Sequence, residues 1–153
     1  MSQLKKLNIT VFGLGYVGLP LFVELSKQFK TIGFDKNVKK IKELKNCVDR
    51  TGELNVKQVK NLKKLKLTFH INDLQNTDIF IVAVPTPINK VKKPDLRMII
   101  NASKNIGKIL KKNNTVVYES TVYPGVTEDV CVPILEKFSG LKWQKDFYVG
   151  YSP

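Results

Sequence analysis

Apolar residues in this chain follow two alternating patterns: short continuous runs, and longer segments with an apolar residue every three or four positions. The first run, residues 8–12, is rich in β-branched residues and ends at a glycine-rich turn, which predicts a β-strand. A helical pattern follows. Because Pro20 is tolerated only near a helix start, this helix is predicted to begin around residues 15–17. Similar runs predict five further strands, at residues 31–35, 65–69, 78–84, 115–119 and 147–150.

Segments with helical spacing separate most of these strands. Segment 38–48 predicts the second helix, and the polar segment 49–64 predicts a loop with a short helix. Asp95 is the predicted N-cap of a long helix, and a last helix is predicted to end near Phe138. Strand 78–84 is nearly all apolar, as expected for burial on both faces. The order predicts right-handed crossovers and an α/β fold: a doubly wound parallel sheet with helices on both faces.

Composition narrows the class of protein. The chain has 153 residues, 42% hydrophobic and 25% charged, which is typical of one globular domain. No apolar run approaches the roughly 18 residues of a membrane span, so no membrane association is expected. Two cysteines are too few for a disulfide framework, which favours a reducing cytoplasm. No metal site is expected.

The charge of the chain is strongly basic, with a formal net charge of +13. All but two of the 26 basic residues are lysines, whereas base-edge and bidentate phosphate recognition favours arginine. The lysines are scattered at helical spacings, as on a solvated face. We therefore expect no nucleic-acid partner, although the excess charge should attract anionic ligands.

A glycine-rich turn joins the first strand to the first helix and has the pattern G-x-G-x-x-G. Such a turn needs glycines for a tight bend, for close approach of a pyrophosphate and for helix–strand packing. The helix N-terminus then offers unpaired N–H groups and a favourable dipole to a phosphate. The strand before it and the helix after it favour a Rossmann-type dinucleotide site over a plain tight turn. Its residues are Gly13, Leu14, Gly15, Tyr16, Val17 and Gly18.

Asp35 ends the second predicted strand, 22 residues after Gly13. At this position a carboxylate accepts hydrogen bonds from the adenosine ribose, and it would repel a 2′-phosphate. A charged hydrogen bond contributes roughly 1.5–3 kcal/mol, so NAD is expected to bind in preference to NADP. Lys36 and Lys40 leave an alternative open, since a nearby cation accepts a 2′-phosphate. Asp35 could also be a simple turn residue.

Two further segments end the fourth and fifth predicted strands. They are VPTP, which begins at Val84, and ESTVYPG, which contains Ser120 and Thr121. Ligands of open α/β sheets bind outside the carboxyl ends of the strands, so these hydroxyls are expected beside the nicotinamide of a dinucleotide. Local sequence leaves a second interpretation equally open, in which Thr86, Ser120 and Thr121 only cap their own loops.

Four segments, in this order and spacing, resemble the UDP-glucose/GDP-mannose dehydrogenase family: GLGYVGLPL, GFD, VAVPTPI and ESTVYPGVTED. The similarity covers residues 7–153 and implies the N-terminal NAD-binding domain of that family. The segment DRTGEL, residues 49–54, further resembles the branch that oxidises UDP-N-acetylhexosamines for capsule and O-antigen polysaccharides. The family oxidises the C6 alcohol of a nucleotide sugar to a carboxylate with two NAD molecules.

The resemblance also implies roles for single residues. The glycine turn would cradle the pyrophosphate, and Asp35 would bind the ribose. Lys40 occupies a position where the family has a basic residue near the adenosine ribose. Val84 and Thr86 match positions that line the dinucleotide. Thr121 matches a threonine that contacts NAD and helps to position a catalytic water or substrate oxygen, so it is the one catalytic candidate.

The family pattern continues beyond this sequence. The motif at residues 151–153 is normally followed by a Glu, then by a Lys, an Asn, a nucleophilic Cys and an Asp, by a central dimerising helix and by a nucleotide-sugar domain. We therefore expect residues 1–153 to be a single NAD-binding domain that does not turn over alone. The whole protein is expected to be a homodimer that acts on a nucleotide sugar. Cys47 and Cys131 have no neighbouring His and are expected to be structural thiols.

Two other functions stay open at this point. One is a Rossmann-type redox sensor or anionic-polymer binding module, suggested by the net charge of +13. The other is a different NAD-dependent enzyme that uses the same domain, such as a hydroxyacid dehydrogenase. The segments VAVPTP and STVYPG weigh against that second alternative. The sugar cannot be named from these residues.

Overall fold

A single six-stranded parallel sheet forms the centre of the computed structural model, which describes residues 7–88 and 94–152. The strands are β1 (Asn8–Phe12), β2 (Lys30–Phe34), β3 (Lys66–Thr68), β4 (Ile79–Val82), β5 (Thr115–Tyr118) and β6 (Tyr148–Tyr151). Their order is β3-β2-β1-β4-β5-β6, and each neighbouring pair is parallel. The chain thus winds outward in opposite directions from β1 and β4. These two strands form the topological switch point at which α/β sheets bind ligands.

Helices cover both faces of the sheet, as predicted. They are α1 (Gly18–Leu25), α2 (Val38–Lys45), α3 (Val56–Asn61), α4 (Arg97–Gly107) and α5 (Val132–Ser139). A π-helical segment, Val126–Cys131, leads directly into α5.

Consecutive residues of β1 pack into two hydrophobic cores, one on each face of the sheet. Val11 belongs to a buried cluster with Phe22 of α1 and Ile41 of α2. Phe12, the next residue, belongs to the opposite cluster, which includes Ile99 of α4 and other buried residues of α4 and α5. Successive side chains of a strand point to opposite faces, so a strand buried on both sides is apolar throughout.

All six predicted strands are confirmed, with ends that differ from the prediction by no more than two residues. The start of the first helix was predicted too early: α1 begins at Gly18, because residues 15–17 form the turn that crosses from β1 to the helix. The predicted N-cap was also wrong. Leu96 takes the N-cap position of α4, with φ −85° and ψ 0°, and its own side chain makes no capping bond. The Asp95 carboxylate instead accepts from the N–H and guanidinium of Arg97, which holds it beside the helix start.

Candidate functional site

The carboxyl ends of β1, β2, β4 and β5 open into a cleft of about 670 Å³. It lies at the switch point, where a dinucleotide is expected in this topology. Three strand spacings separate β2 from β5, about 14 Å, so the floor is long enough for an extended ligand. Ten predicted site residues line it: Gly13, Leu14, Gly15, Tyr16, Val17, Asp35, Lys40, Val84, Thr86 and Thr121.

The glycine turn needs each glycine for a different reason. Gly13 has φ +102°, and a Cβ there would lie 2.9 Å from the carbonyl oxygen of Ala83. Gly18 is absent from the lining because it faces inward, where a Cβ would overlap the carbonyl oxygen of Gly13. A Cβ at Gly15 would instead meet no atom of the described residues within 4 Å. Gly15 therefore leaves its backbone open to the cleft.

The start of α1 lies beside this turn. No side chain of the described residues caps it, and its first turn carries no acidic residue. The Leu19 N–H already donates to the carbonyl oxygen of Gly15 and Pro20 has no N–H, so what this end offers an anion is chiefly the positive end of the helix dipole. Tyr16 and Val17, at the rim, are 70% and 58% exposed. Apolar side chains this exposed beside a cleft are available to cover a ligand.

Asp35 is buried directly after β2, and three donors of the chain hold it. Its Oδ2 accepts from the Leu14 N–H at 3.1 Å and from Lys40 Nζ at 2.7 Å. Its Oδ1 accepts from the Asn37 N–H at 2.9 Å. The bond to Leu14 ties the carboxylate to the glycine turn, so the two predicted features are parts of one site. Lys40, predicted near the ribose, reaches the cleft as the ion-pair partner of Asp35.

The loops after β4 and β5 form the opposite end of the cleft. Val84 and Thr86 lie on the first loop, and Thr121 lies on the second. The Thr86 hydroxyl donates to the carbonyl oxygen of Thr121 at 2.6 Å. Since Asp35 lies on the other side of β1, the predicted residues divide into two groups at the two ends of one cleft.

Sequence reasoning missed one wall of the cleft. Met98, Asn101 and Asn105 of α4 line it, together with Glu119 at the end of β5. Their helical spacing of three and four was visible in the sequence, and it places them on one face of α4. Because that face carries two amides and a thioether rather than a motif, the spacing alone did not mark it as part of a site.

The cysteines lie away from the cleft. Cys131 is fully buried, and burial raises the pKa of its thiol. Cys47 is half-buried just after α2. Among residues 7–88 and 94–152, no three His, Cys, Asp or Glu side chains gather into a group that could hold a metal. Within the same ranges, no helix is long and apolar enough to cross a membrane.

These features define a nucleotide-binding domain with a glycine turn, an uncapped helix start and a buried carboxylate at the end of the second strand. Residues 7–153 match the NAD binding domain of the UDP-glucose/GDP-mannose dehydrogenase family, and the chain belongs to that family. NAD is therefore the cofactor of this domain. The three glycine environments and the buried Asp35 fit that cofactor.

Relatives extend the similarity over almost the whole chain. The UDP-N-acetyl-D-glucosamine 6-dehydrogenase of Pseudomonas aeruginosa is 53% identical over 98% of this chain and 36% of its own length. Protein CapL of Staphylococcus aureus is 54% identical over 95% of this chain and 34% of its own. A solved UDP-D-ManNAc dehydrogenase from Pyrococcus horikoshii superposes with a TM-score of 0.87 at 32% identity, over 96% of this chain and 36% of that one. The chain thus spans about a third of the length of these relatives.

Proposed function

We propose that NAD binds along this cleft with its adenosine ribose at Asp35. The pyrophosphate lies on the glycine turn at Gly15 and the start of α1. The nicotinamide lies toward Val84, Thr86 and Thr121. The observation that carries this assignment is the bond from the Leu14 N–H to the Asp35 carboxylate, which joins the phosphate turn and the ribose acceptor in one unit. That combination is what a dinucleotide needs from a βαβ unit.

We infer that the domain prefers NAD to NADP. A 2′-phosphate would have to lie against the buried Asp35 carboxylate, and like charges at close range are unfavourable. Lys40 does not remove this barrier, because its ammonium group is already 2.7 Å from the same carboxylate. Lys36 also lines the cleft and would matter only if Asp35 were removed.

We propose further that the whole protein oxidises the C6 alcohol of a UDP-N-acetylhexosamine to the uronic acid, for polysaccharide biosynthesis. The support is the naming of relatives with 53% and 48% identity as UDP-N-acetyl-D-glucosamine 6-dehydrogenases. When bound, NAD supplies a hydride acceptor, and two NAD molecules are needed for each sugar. In this scheme Thr121 contacts the cofactor and helps to hold a water or substrate oxygen near the reacting carbon.

The 153 residues alone are expected to bind NAD without turning over. The whole protein is expected to be a cytoplasmic homodimer that binds a nucleotide sugar through residues outside this chain. The matched share of each relative, about a third, supports this division of labour.

The function is tested by incubating the whole protein with NAD and a panel of UDP-sugars while NADH absorbance is recorded. We expect two NADH for each UDP-N-acetylhexosamine consumed, and no NADH from the 153-residue chain under the same conditions. Oxidation of an unrelated hydroxyacid but of no UDP-sugar would contradict the proposal. NADH production at enzymatic rates by the 153-residue chain would contradict its predicted inactivity.

A further inference from the structure

Two hydroxyl groups join the loops after β4 and β5 in opposite directions. The Ser120 hydroxyl donates to the carbonyl oxygen of Val84 at 2.5 Å, from the β5 loop to the β4 loop. The Thr86 hydroxyl donates to the carbonyl oxygen of Thr121 at 2.6 Å, from the β4 loop to the β5 loop. We call this reciprocal pair of bonds the loop clamp. All four residues line or border the same end of the cleft.

The loop clamp begins where the backbone ladder between the two strands stops. The last ladder bond runs from the Glu119 N–H to the carbonyl oxygen of Val82. Beyond it the carbonyl oxygens of Val84 and Thr121 each accept from a hydroxyl of the neighbouring loop. The described bonds between the two loops thus change from backbone–backbone to side chain–backbone.

The base of the loop clamp is rigid. Tyr118, the last residue of β5, is fully buried, and its hydroxyl is 2.6 Å from the Ser103 hydroxyl on α4. Ser103 in turn donates to the carbonyl oxygen of Ile99. The end of β5 is thereby fixed to α4.

We propose that Ser120 is a positioning residue for the nicotinamide end of the cofactor site. Ser120 is 5% exposed, so its hydroxyl serves the carbonyl of Val84 rather than a ligand in the cleft. With Thr86 it fixes the distance between the two loops before the cofactor arrives. Preorganisation of this kind raises affinity because less ordering is left for the binding step. The inference rests on the proposed NAD site.

The loop clamp also restricts what Thr86 can do. Its hydroxyl proton is committed to the carbonyl oxygen of Thr121. A hydroxyl whose proton is engaged still offers lone pairs, so the Thr86 hydroxyl is left to contact a cofactor as an acceptor.

The test compares NAD with ADP-ribose, which lacks the nicotinamide, by calorimetric titration of this chain. In the wild type we expect NAD to bind more tightly than ADP-ribose. Ser120→Ala should lower the affinity for NAD by about tenfold, which corresponds to one hydrogen bond of about 1.4 kcal/mol. The affinity for ADP-ribose should stay within twofold of the wild type. Thr86→Val, which replaces the hydroxyl with a methyl group of similar size, should do the same, whereas Thr86→Ser, which keeps the hydroxyl, should retain NAD affinity.

Ser26→Ala is the matched control. The Ser26 hydroxyl donates to the carbonyl oxygen of Phe22 at 2.7 Å, the same type of bond, away from the cleft. This substitution should leave the affinity for both ligands unchanged. Equal affinity of the wild type for both ligands, or equal losses for both in Ser120→Ala and Thr86→Val, would overturn the role of the loop clamp. If the wild type binds neither ligand, the proposed NAD site itself fails. The two failures are therefore distinguishable.

Discussion

The sheet has an amino edge, where its strands begin, and a carboxyl edge, where they end. The two edges carry the same types of residue but differ in what their polar groups contact. At the amino edge, polar side chains form hydrogen bonds with one another. The Asp78 carboxylate accepts from the backbone N–H and the side-chain amide of Asn8, at 2.8 and 3.1 Å. The hydroxyls of Thr10 and Thr77 are 2.6 Å apart, and the Asn114 amide donates to the carbonyl oxygen of Thr77. Because these polar groups bond to one another, we call the amino edge the closed edge.

At the carboxyl edge, the same kinds of group surround a cleft. Asp35 has three donors from the chain and still lines that cleft, and Gly15 leaves its backbone uncovered. Polar residues at strand ends therefore do not by themselves make a site. A site forms where glycines and an uncapped helix start leave backbone open to the cleft.

Gly18→Ala should have the largest effect, because it disrupts the glycine turn at the carboxyl edge. A Cβ at this position would overlap the carbonyl oxygen of Gly13, so the turn and α1 must move apart. We expect the free energy of unfolding in urea to fall by about 3 kcal/mol and NAD binding to be lost. Gly140→Ala is the comparison variant: its φ of +72° strains an alanine, but its Cβ would meet no described atom within 4 Å, so we expect a smaller loss of stability and unchanged NAD binding. A stable Gly18→Ala that binds NAD normally would refute this role.

Asp78→Ala should damage the closed edge alone. It leaves the Asn8 N–H without its carboxylate partner, and we expect a loss of about 2 kcal/mol in the free energy of unfolding. The dissociation constant for NAD should stay within twofold, because Asp78 lies at the opposite end of the strands from the cleft. Weaker NAD binding in a variant that is still folded would mean that the two edges are coupled.

Gly15→Ala should do the opposite of Asp78→Ala: it should lower the affinity for NAD and leave the free energy of unfolding nearly unchanged. The Cβ would project into open space, so the free energy of unfolding should stay within about 0.5 kcal/mol, as for a surface substitution. Close approach of a pyrophosphate to the turn would be hindered, and we expect NAD affinity to fall by about tenfold or more. Unchanged affinity by calorimetry would show that the ligand does not lie on Gly15.

The smallest expected effect is a pH dependence of the free energy of unfolding that comes from the buried Cys131. Burial raises the pKa of Cys131 above its ordinary value of 9.0, so the folded chain holds this proton more tightly than the unfolded chain. The free energy of unfolding should therefore fall as the pH rises above about 9, by at most about 1.4 kcal/mol per pH unit from this group. Urea unfolding between pH 7 and 10 measures the slope, and Cys131→Ala should flatten it. An unchanged slope would mean that Cys131 ionises equally in both states.

Much of this architecture could be predicted because local chemistry and topology agree. The apolar run that ends at Phe12, the glycine turn and Asp35 each carry a strong local signal, and the parallel topology then brings them to one edge. The ends of elements were less predictable. Asp95 has the composition of an N-cap, but Arg97 two residues later binds the same carboxylate, and Leu96 takes the position instead.

The contacts between loops could not be predicted. Ser120 and Thr86 are 34 positions apart in the sequence, and nothing local pairs them. Their bonds depend on the neighbouring places of β4 and β5 in the sheet, which bring the two loops together. Asn101 and Asn105 were missed for a related reason. Their role at the cleft depends on which face of α4 points toward β1.

The binding of NAD at Asp35 is tested by calorimetric titration of this chain with NAD and with NADP, for the wild type and for Asp35→Ala. We expect saturable NAD binding that is tighter than NADP binding. We also expect a ten- to hundredfold loss of NAD affinity in Asp35→Ala, in line with a charged hydrogen bond of roughly 1.5–3 kcal/mol. The preference for NAD should shrink in that variant, because Lys36 and Lys40 are then free to meet a 2′-phosphate. Binding of neither nucleotide, or equal NAD affinity with and without Asp35, would contradict the assignment of the cleft.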